Sequence, residues 1–194
     1  MHLPKGRRYY NMKKTLAQLF FFLIGWTNKS KVTPEVEHSV MIAAPHTSNW
    51  DLPIALAAFW LMGIDLKYFI KDDYTRAWYG GFFRWTGAIG VNRQQKNNLT
   101  DYAVQLLKER KMVLMVPAEG TRKRVEKWRT GFYHIARRAG VPISLGTLDY
   151  KNKVADVLDT LRPSGNFEAD MRIIEDQYAQ IEGKHPEHYN PKIF

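Results

Sequence analysis

The chain is expected to fold as an α/β protein, a layered sheet flanked by helices, with an N-terminal helix lying in a membrane interface. Three observations carry that expectation. From residue 39 onward, short apolar runs alternate with segments of helical periodicity, the pattern of a sheet covered by helices. The 194 residues, 45% hydrophobic and 25% charged, are enough for one domain with a real core. Residues 1–34 stand apart, with seven Lys or Arg and no acid around a single apolar run. We therefore divide the chain into a basic, apolar membrane-associating arm, 1–34, and a main domain, 35–194.

In the arm, the apolar run Leu16 to Trp26 is eleven residues long. A helix needs about 20 to span a bilayer. A secretory signal would fit the basic start, but Thr27-Asn-Lys-Ser30 follows instead of a small-residue cleavage site. An interfacial helix fits better, with Trp26 at its end and Lys13, Lys14, Lys29 and Lys31 placed to meet headgroups. A buried core helix accommodates Phe20, Phe21 and Phe22 as well.

In the main domain, Val40–Ala44 reads as a buried strand and Trp50–Met62 as a helix. Leu66–Ile70 is a second strand, Arg76–Trp85 a helix and Ala88–Val91 a third strand. Thr100 is placed to cap a helix running to Arg110, with Tyr102, Leu106 and Leu107 inward. Met112–Val116 is a fourth strand. A helix carrying Phe132, Ile135, Ala136 and Ala139 ends at Gly140. Ile143–Tyr150 and Val154–Leu158 are later strands. Met171, Ile174, Tyr178 and Ile181 mark a last helix over 167–181. There is no internal repeat and no low-complexity segment.

Composition narrows the function. With no cysteine, disulfides, thiolate metal sites and a thiol nucleophile are excluded. The net charge of +10 is concentrated in residues 1–148, which hold 23 basic and 10 acidic side chains. Such a surface attracts an anion: nucleic acid, anionic lipid or a phosphorylated ligand.

Three constellations bear on chemistry. The first is Pro45-His-Thr-Ser-Asn-Trp-Asp51, directly after a strand. An imidazole acting as a base needs a carboxylate to fix its tautomer and stabilise its cation. On a regular helix a spacing of five would put His46 and Asp51 ~140° apart, at ~100° per residue. They meet only with His46 in the loop and Asp51 in the first turn of the next helix, where Pro53 is tolerated. Ser48-Asn-Trp-Asp51 is also a capping-box pattern, in which Asp51 merely serves the helix terminus. The second is Gly87-Ala-Ile-Gly-Val-Asn-Arg93, with glycines that let a ligand or another backbone approach. The Arg93 guanidinium suits a phosphate; the plainer alternative is a turn with a solvated arginine. The third is Val116-Pro-Ala-Glu-Gly-Thr-Arg-Lys-Arg124, a strand ending in a glycine-containing basic loop. It reads as an anion site or as a solvated basic face, and Trp128 and Phe132 beside it also fit nucleic acid. His185-Pro-Glu-His188 has a crude metal-like spacing with no third ligand, and reads as an exposed tail. None of the five serines lies in a G-x-S-x-G context.

Taken together and in this order, these segments resemble the lysophospholipid acyltransferase superfamily, in particular 1-acylglycerol-3-phosphate acyltransferases. The resemblance runs from Val40 to Leu148. His46 to Asp51 looks like the family's His-x4-Asp block, Gly87 to Arg93 its G-x-I-x-x-x-R block, Glu119-Gly-Thr-Arg122 its E-G-T-R block and Val141-Pro-Ile143 its V-P-I block. Pro45 stands where relatives usually have Asn, and the N-terminal region is short.

The resemblance implies a glycerolipid acyltransferase-like fold, with 35–194 as the acyltransferase domain. It implies transfer of a fatty acyl group from an acyl-CoA or acyl carrier protein thioester to the hydroxyl of a lysophospholipid, 1-acylglycerol-3-phosphate becoming phosphatidic acid. His46 and Asp51 are the expected catalytic pair. Arg93, Glu119, Gly120, Thr121 and Arg122 are the expected acceptor-phosphate site, with Glu119 orienting an arginine or a hydroxyl. No metal and no cofactor beyond the thioester co-substrate are expected. The expected partners are the lyso-lipid, the thioester donor and an anionic membrane surface, not nucleic acid. The expected location is the cytoplasmic face of a membrane, peripheral or monotopic. Two rivals remain: the same chemistry on a non-phosphate lyso-lipid, and a non-enzymatic module binding anionic lipid or nucleic acid, which gives no reason for His46 and Asp51.

Overall fold

The computed structural model describes residues 5–92 and 99–194. Its elements in chain order are α1 Lys5–Ile24, β1 Thr27–Asn28, α2 Pro34–Glu37, β2 Ser39–Ala43, α3 Asp51–Met62, β3 Leu66–Lys71, α4 Asp72–Arg76, α5 Gly80–Thr86 and β4 Ala88–Val91. After these come α6 Leu99–Glu109, β5 Val113–Val116, α7 Gly131–Ala139, β6 Ile143–Asp149, β7 Val154–Leu161 and α8 Phe167–Tyr178. The layered α/β architecture expected from the sequence is what forms.

The sheet has seven strands in the order β1-β7-β6-β2-β5-β3-β4. From β6 to β4 all neighbours are parallel; β7 runs antiparallel to β6, and β1 pairs parallel with β7. The central strands β2, β5 and β6 are buried on both faces, as parallel strands covered on both sides must be. Alternation along β2 divides the core. Val40 and Ile42 pack with Leu107, Phe132, Ile135 and Ile174 of α6, α7 and α8. Met41 points the other way, to Leu56 and Phe59 of α3.

Helix α1 lies against α3. Its Ala17 and Phe21, with Trp26 just beyond it, pack on Ile54, Ala57 and Ala58 of α3 and on Leu148 and Ala155 of the sheet. The three consecutive phenylalanines therefore have different fates: Phe21 is 4% exposed and Phe22 81% exposed. Leu19 and Leu23 share the outer face with Phe22. Burying Phe21 contributes about 1.5–3 kcal/mol. Among the described residues, no helix is long and apolar enough to cross a membrane.

Several expectations are corrected: Thr100 lies inside α6, which begins at Leu99, and Tyr102 is exposed instead of facing inward. The helix expected over 76–85 begins only at Gly80: the chain leaves α4 at Ala77, with φ −57° and ψ 162°, and returns so that Gly80 sits against the Thr75 carbonyl, where a Cβ would stand 2.1 Å from the oxygen. The last helix stops at Tyr178, and Ile181 packs from the loop beyond it. The C-terminal segment is not a free tail. His185 and His188 remain partly exposed, but Tyr189 and Ile193 are buried. The Trp128 N–H donates to the Ile193 carbonyl at 2.9 Å, and the Ile193 N–H to Glu175 Oε2 at 3.0 Å.

Candidate active site

β2, β5 and β6 are parallel, so the loops leaving their carboxyl ends meet at one end of the sheet, where open α/β folds build their sites. His46 follows β2, Glu119 follows β5 and Tyr150 follows β6. The loop after β2 is short, and its Ala44–Pro45 peptide is cis. It delivers His46 at the mouth of a cleft and Asp51 to the first residue of α3, as the spacing of five requires.

His46 Nδ1 lies 2.9 Å from Asp51 Oδ2. The same oxygen accepts the backbone N–H groups of Thr47 and Ser48, each at 2.9 Å. Asp51 Oδ1 accepts the Tyr150 hydroxyl at 2.6 Å. The capping box itself does not form, because Trp50 and not Ser48 is the N-cap of α3 and Ser48 Oγ accepts the Trp50 N–H at 3.2 Å; Asp51 reaches back to the Ser48 N–H while also holding the imidazole. With Nδ1 directed at a carboxylate, Nε2 carries the lone pair and no hydrogen bond among the described residues. The imidazole keeps 23% of its surface exposed and Asp51 is buried, so a solvated base is backed by a buried carboxylate.

Glu119 is buried, and its Oε2 accepts the His46 backbone N–H at 2.8 Å. It therefore holds the histidine loop, where the sequence led us to expect an arginine or hydroxyl partner. Burial pushes its carboxyl up to about 7, against the His46 N–H bond and the His46 charge, which lower it. Gly120 takes φ +67° in a turn closed by its N–H on the Pro117 carbonyl at 3.1 Å. A Cβ there would meet Arg129 Nε at 2.5 Å. The Gly120 N–H is thus engaged within the protein, while Thr121 Oγ1 accepts the Lys123 N–H at 3.3 Å. Arg122 is exposed and donates to Asn49 Oδ1, which brings its guanidinium to the histidine loop. Arg93 lies outside the described residues. Val141–Ile143 opens β6 at the far end of the sheet, with the Pro142 carbonyl accepting the Val40 N–H at 3.0 Å.

Beneath His46 and Asp51 runs a narrow cleft, walled by Met41, Ala43 and Met115 of the sheet and by Leu52, Ala55 and Phe59 of α3. An apolar slot entered beside a polar pair is the usual form of a small-ligand site. Tyr150 went unread in the sequence. It lies 99 positions from Asp51 and in no motif, and its one signal is its place at the carboxyl end of a central strand.

The acyltransferase family model matches residues 24–144, more than half of the chain. The chain belongs to the acyltransferase family. Its fold is also that of a solved structure, the 1-acyl-sn-glycerophosphate (LPA) acyltransferase PlsC from Thermotoga maritima. The two superpose with a TM-score of 0.59 at 14% identity, covering 91% of this chain and 81% of that one. No curated protein matches the sequence. Within this acyltransferase, the match ends before Tyr150 and the whole C-terminal segment, so those parts of the site are read from geometry alone.

Proposed function

We propose that this acyltransferase moves a fatty acyl group from an acyl-CoA or acyl carrier protein thioester to the hydroxyl of a lysophospholipid, with 1-acylglycerol-3-phosphate becoming phosphatidic acid. The observation that carries this reading is the apolar cleft opening at His46, beside the exposed Arg122. The apolar lining suits the chemistry of an acyl chain, and the guanidinium outside it suits a phosphate.

In this reading His46 Nε2 takes the proton from the acceptor hydroxyl as its oxygen attacks the thioester carbonyl carbon. The tetrahedral adduct collapses with loss of the thiolate, which takes the proton back from the imidazolium. Asp51 holds the imidazole and stabilises its charged form. With no cysteine in the chain and no serine elbow, transfer is direct, without an acyl-enzyme. Arg122 and Arg93 bind the acceptor phosphate, Thr121 adds a hydroxyl, Gly120 supplies the turn that presents them, and Glu119 anchors the loop that carries His46. Arg122→Ala is expected to raise KM for the phosphate-bearing acceptor about tenfold or more, from a charge-assisted bond of about 1.5–3 kcal/mol. KM for the thioester should stay near that of the parent. An unchanged acceptor KM, with a phosphate-free lyso-lipid used equally well, transfers the reading to a non-phosphate acceptor.

The acceptor and product are lipids, so the site has to work at a bilayer. We assign the contact to the outer face of α1, with Leu19, Phe22 and Leu23 exposed and Lys14 nearby, on the cytoplasmic face of a membrane; Lys13, expected there from the sequence, instead donates its ammonium to the Trp85 carbonyl at 2.7 Å. Leu19→Ser, Phe22→Ser and Leu23→Ser together should weaken binding to anionic vesicles by at least about tenfold, each loss being a share of about 1.5–3 kcal/mol. None of the three is buried, so the melting temperature should hold. Raising salt should weaken the binding of the parent without abolishing it. Vesicle binding that survives the triple substitution would move the contact elsewhere.

A further inference from the structure

Tyr150 lies outside the matched residues 24–144, yet its hydroxyl is the one protein donor to Asp51 Oδ1 among the described residues. The opposite oxygen, Oδ2, serves His46 Nδ1 and the Thr47 and Ser48 N–H groups. Tyr150 is itself held from two sides, at its ring and at its backbone. Trp26, the buried residue two places after α1, meets its ring edge-on, with centroids 4.9 Å apart. Trp26 is fixed in turn by its N–H on the Phe21 carbonyl at 2.9 Å and by stacking on the Phe21 ring. On the other side the Tyr150 N–H donates to the Glu182 carbonyl at 2.9 Å. The arm, the end of β6 and the C-terminal segment therefore converge on one residue.

We propose that Tyr150 is a positioning residue for the His46–Asp51 pair and that Trp26 holds it in place, so that the N-terminal arm is part of the catalytic apparatus as well as a membrane contact. This rests on the reading of His46 as the general base. Burial, then the bond to Asp51 and its charge, keep the phenol protonated well above the ordinary tyrosine range, so it donates at every working pH. Its proton fixes the plane of the carboxylate and draws charge density away from the imidazole. Without it, Asp51 turns more freely and becomes a stronger acceptor toward His46. The imidazolium is then stabilised in the resting enzyme, and a larger share of His46 is unable to accept a proton. The titratable and polar groups facing this carboxylate are His46, Ser48, Tyr150 and the buried Glu119 of the neighbouring loop.

The test uses a short-chain, water-soluble lyso-lipid in the absence of vesicles, so that membrane binding does not enter. Tyr150→Phe is expected to lower kcat about tenfold, the scale of one hydrogen bond to a charged group. KM for both substrates should stay near that of the parent, and the acid limb of the pH–rate profile should move to higher pH. Trp26→Ala should reproduce these changes, and Trp26→Phe, which restores an aromatic edge, should recover most of the rate. A Tyr150→Phe enzyme with parental kcat and pH profile overturns the proposal. So does a fall in kcat that tracks a fall in melting temperature with the acid limb unmoved, since that is what a purely structural role gives. His46→Ala in the same assay separates the two levels. If it is inactive, the general-base reading stands whatever Tyr150 does; if it is active, that reading falls and this proposal with it.

Discussion

His46→Ala is expected to lower acyl transfer by ~10²–10⁴-fold, the contribution of a positioned general base. The change removes one partly exposed ring from a loop whose backbone is tied independently, by the His46 N–H to Glu119 and the Thr47 and Ser48 N–H groups to Asp51. The fold should survive it, with a melting temperature close to that of the parent. Binding of both substrates should also survive, because the cleft walls and the arginines are untouched. The loss should therefore fall on kcat. The measurement is steady-state kinetics on the purified variant beside its thermal melt. Near-parental turnover would remove His46 from the mechanism.

The second large effect is expected from Asp51→Asn, which separates the two roles that share one carboxylate. Asparagine still offers an oxygen to the Thr47 and Ser48 N–H groups, so the loop before α3 loses only part of its anchoring, within about 1.5–3 kcal/mol. It cannot stabilise an imidazolium, and its amide N–H₂ must face either the His46 ring or the Tyr150 hydroxyl, each of which lies against a carboxylate oxygen in the parent. The rate should fall by ~10²–10⁴-fold, comparable with His46→Ala. Because the two residues act as a unit, the double substitution should be little worse than either alone. A variant with a lowered melting temperature and a parental rate would leave Asp51 with its loop-anchoring role only.

The parts of this fold that were legible in the sequence are those set by local chemistry. Val40–Ala44 and Ile143–Tyr150 are apolar enough to be buried strands. Gly140 marks the end of α7 by adopting φ +72°, and the spacing of five places His46 and Asp51 on either side of a helix start. The direction of β7 was also legible though unread: only residues 150–153 separate it from β6, too few for a parallel crossover. Other features depend on contacts far apart in sequence. Phe20, Phe21 and Phe22 are identical in type, and only the packing of α1 on α3 decides that Phe21 goes inside and Phe22 outside. Glu119 shares a basic loop with Arg122, so its composition pointed to a phosphate, while the pairing of β5 with β2 brings it under the His46 backbone. Tyr150 carries no motif at all, and only the pairing of β6 with β2 puts its hydroxyl on Asp51. The burial of Tyr189 and Ile193 likewise follows from where α7 and α8 leave an apolar surface open.

The most direct measurement is acyl transfer by the purified chain. A long-chain acyl-CoA and the matching acyl carrier protein are each supplied with 1-acylglycerol-3-phosphate in anionic vesicles, and the diacyl product and released thiol are followed together. The expected result is phosphatidic acid formed in step with free thiol, slower transfer to a phosphate-free lyso-lipid, and neither product with His46→Ala. A folded protein that releases no thiol and forms no ester with either donor, across the acceptors, would contradict it.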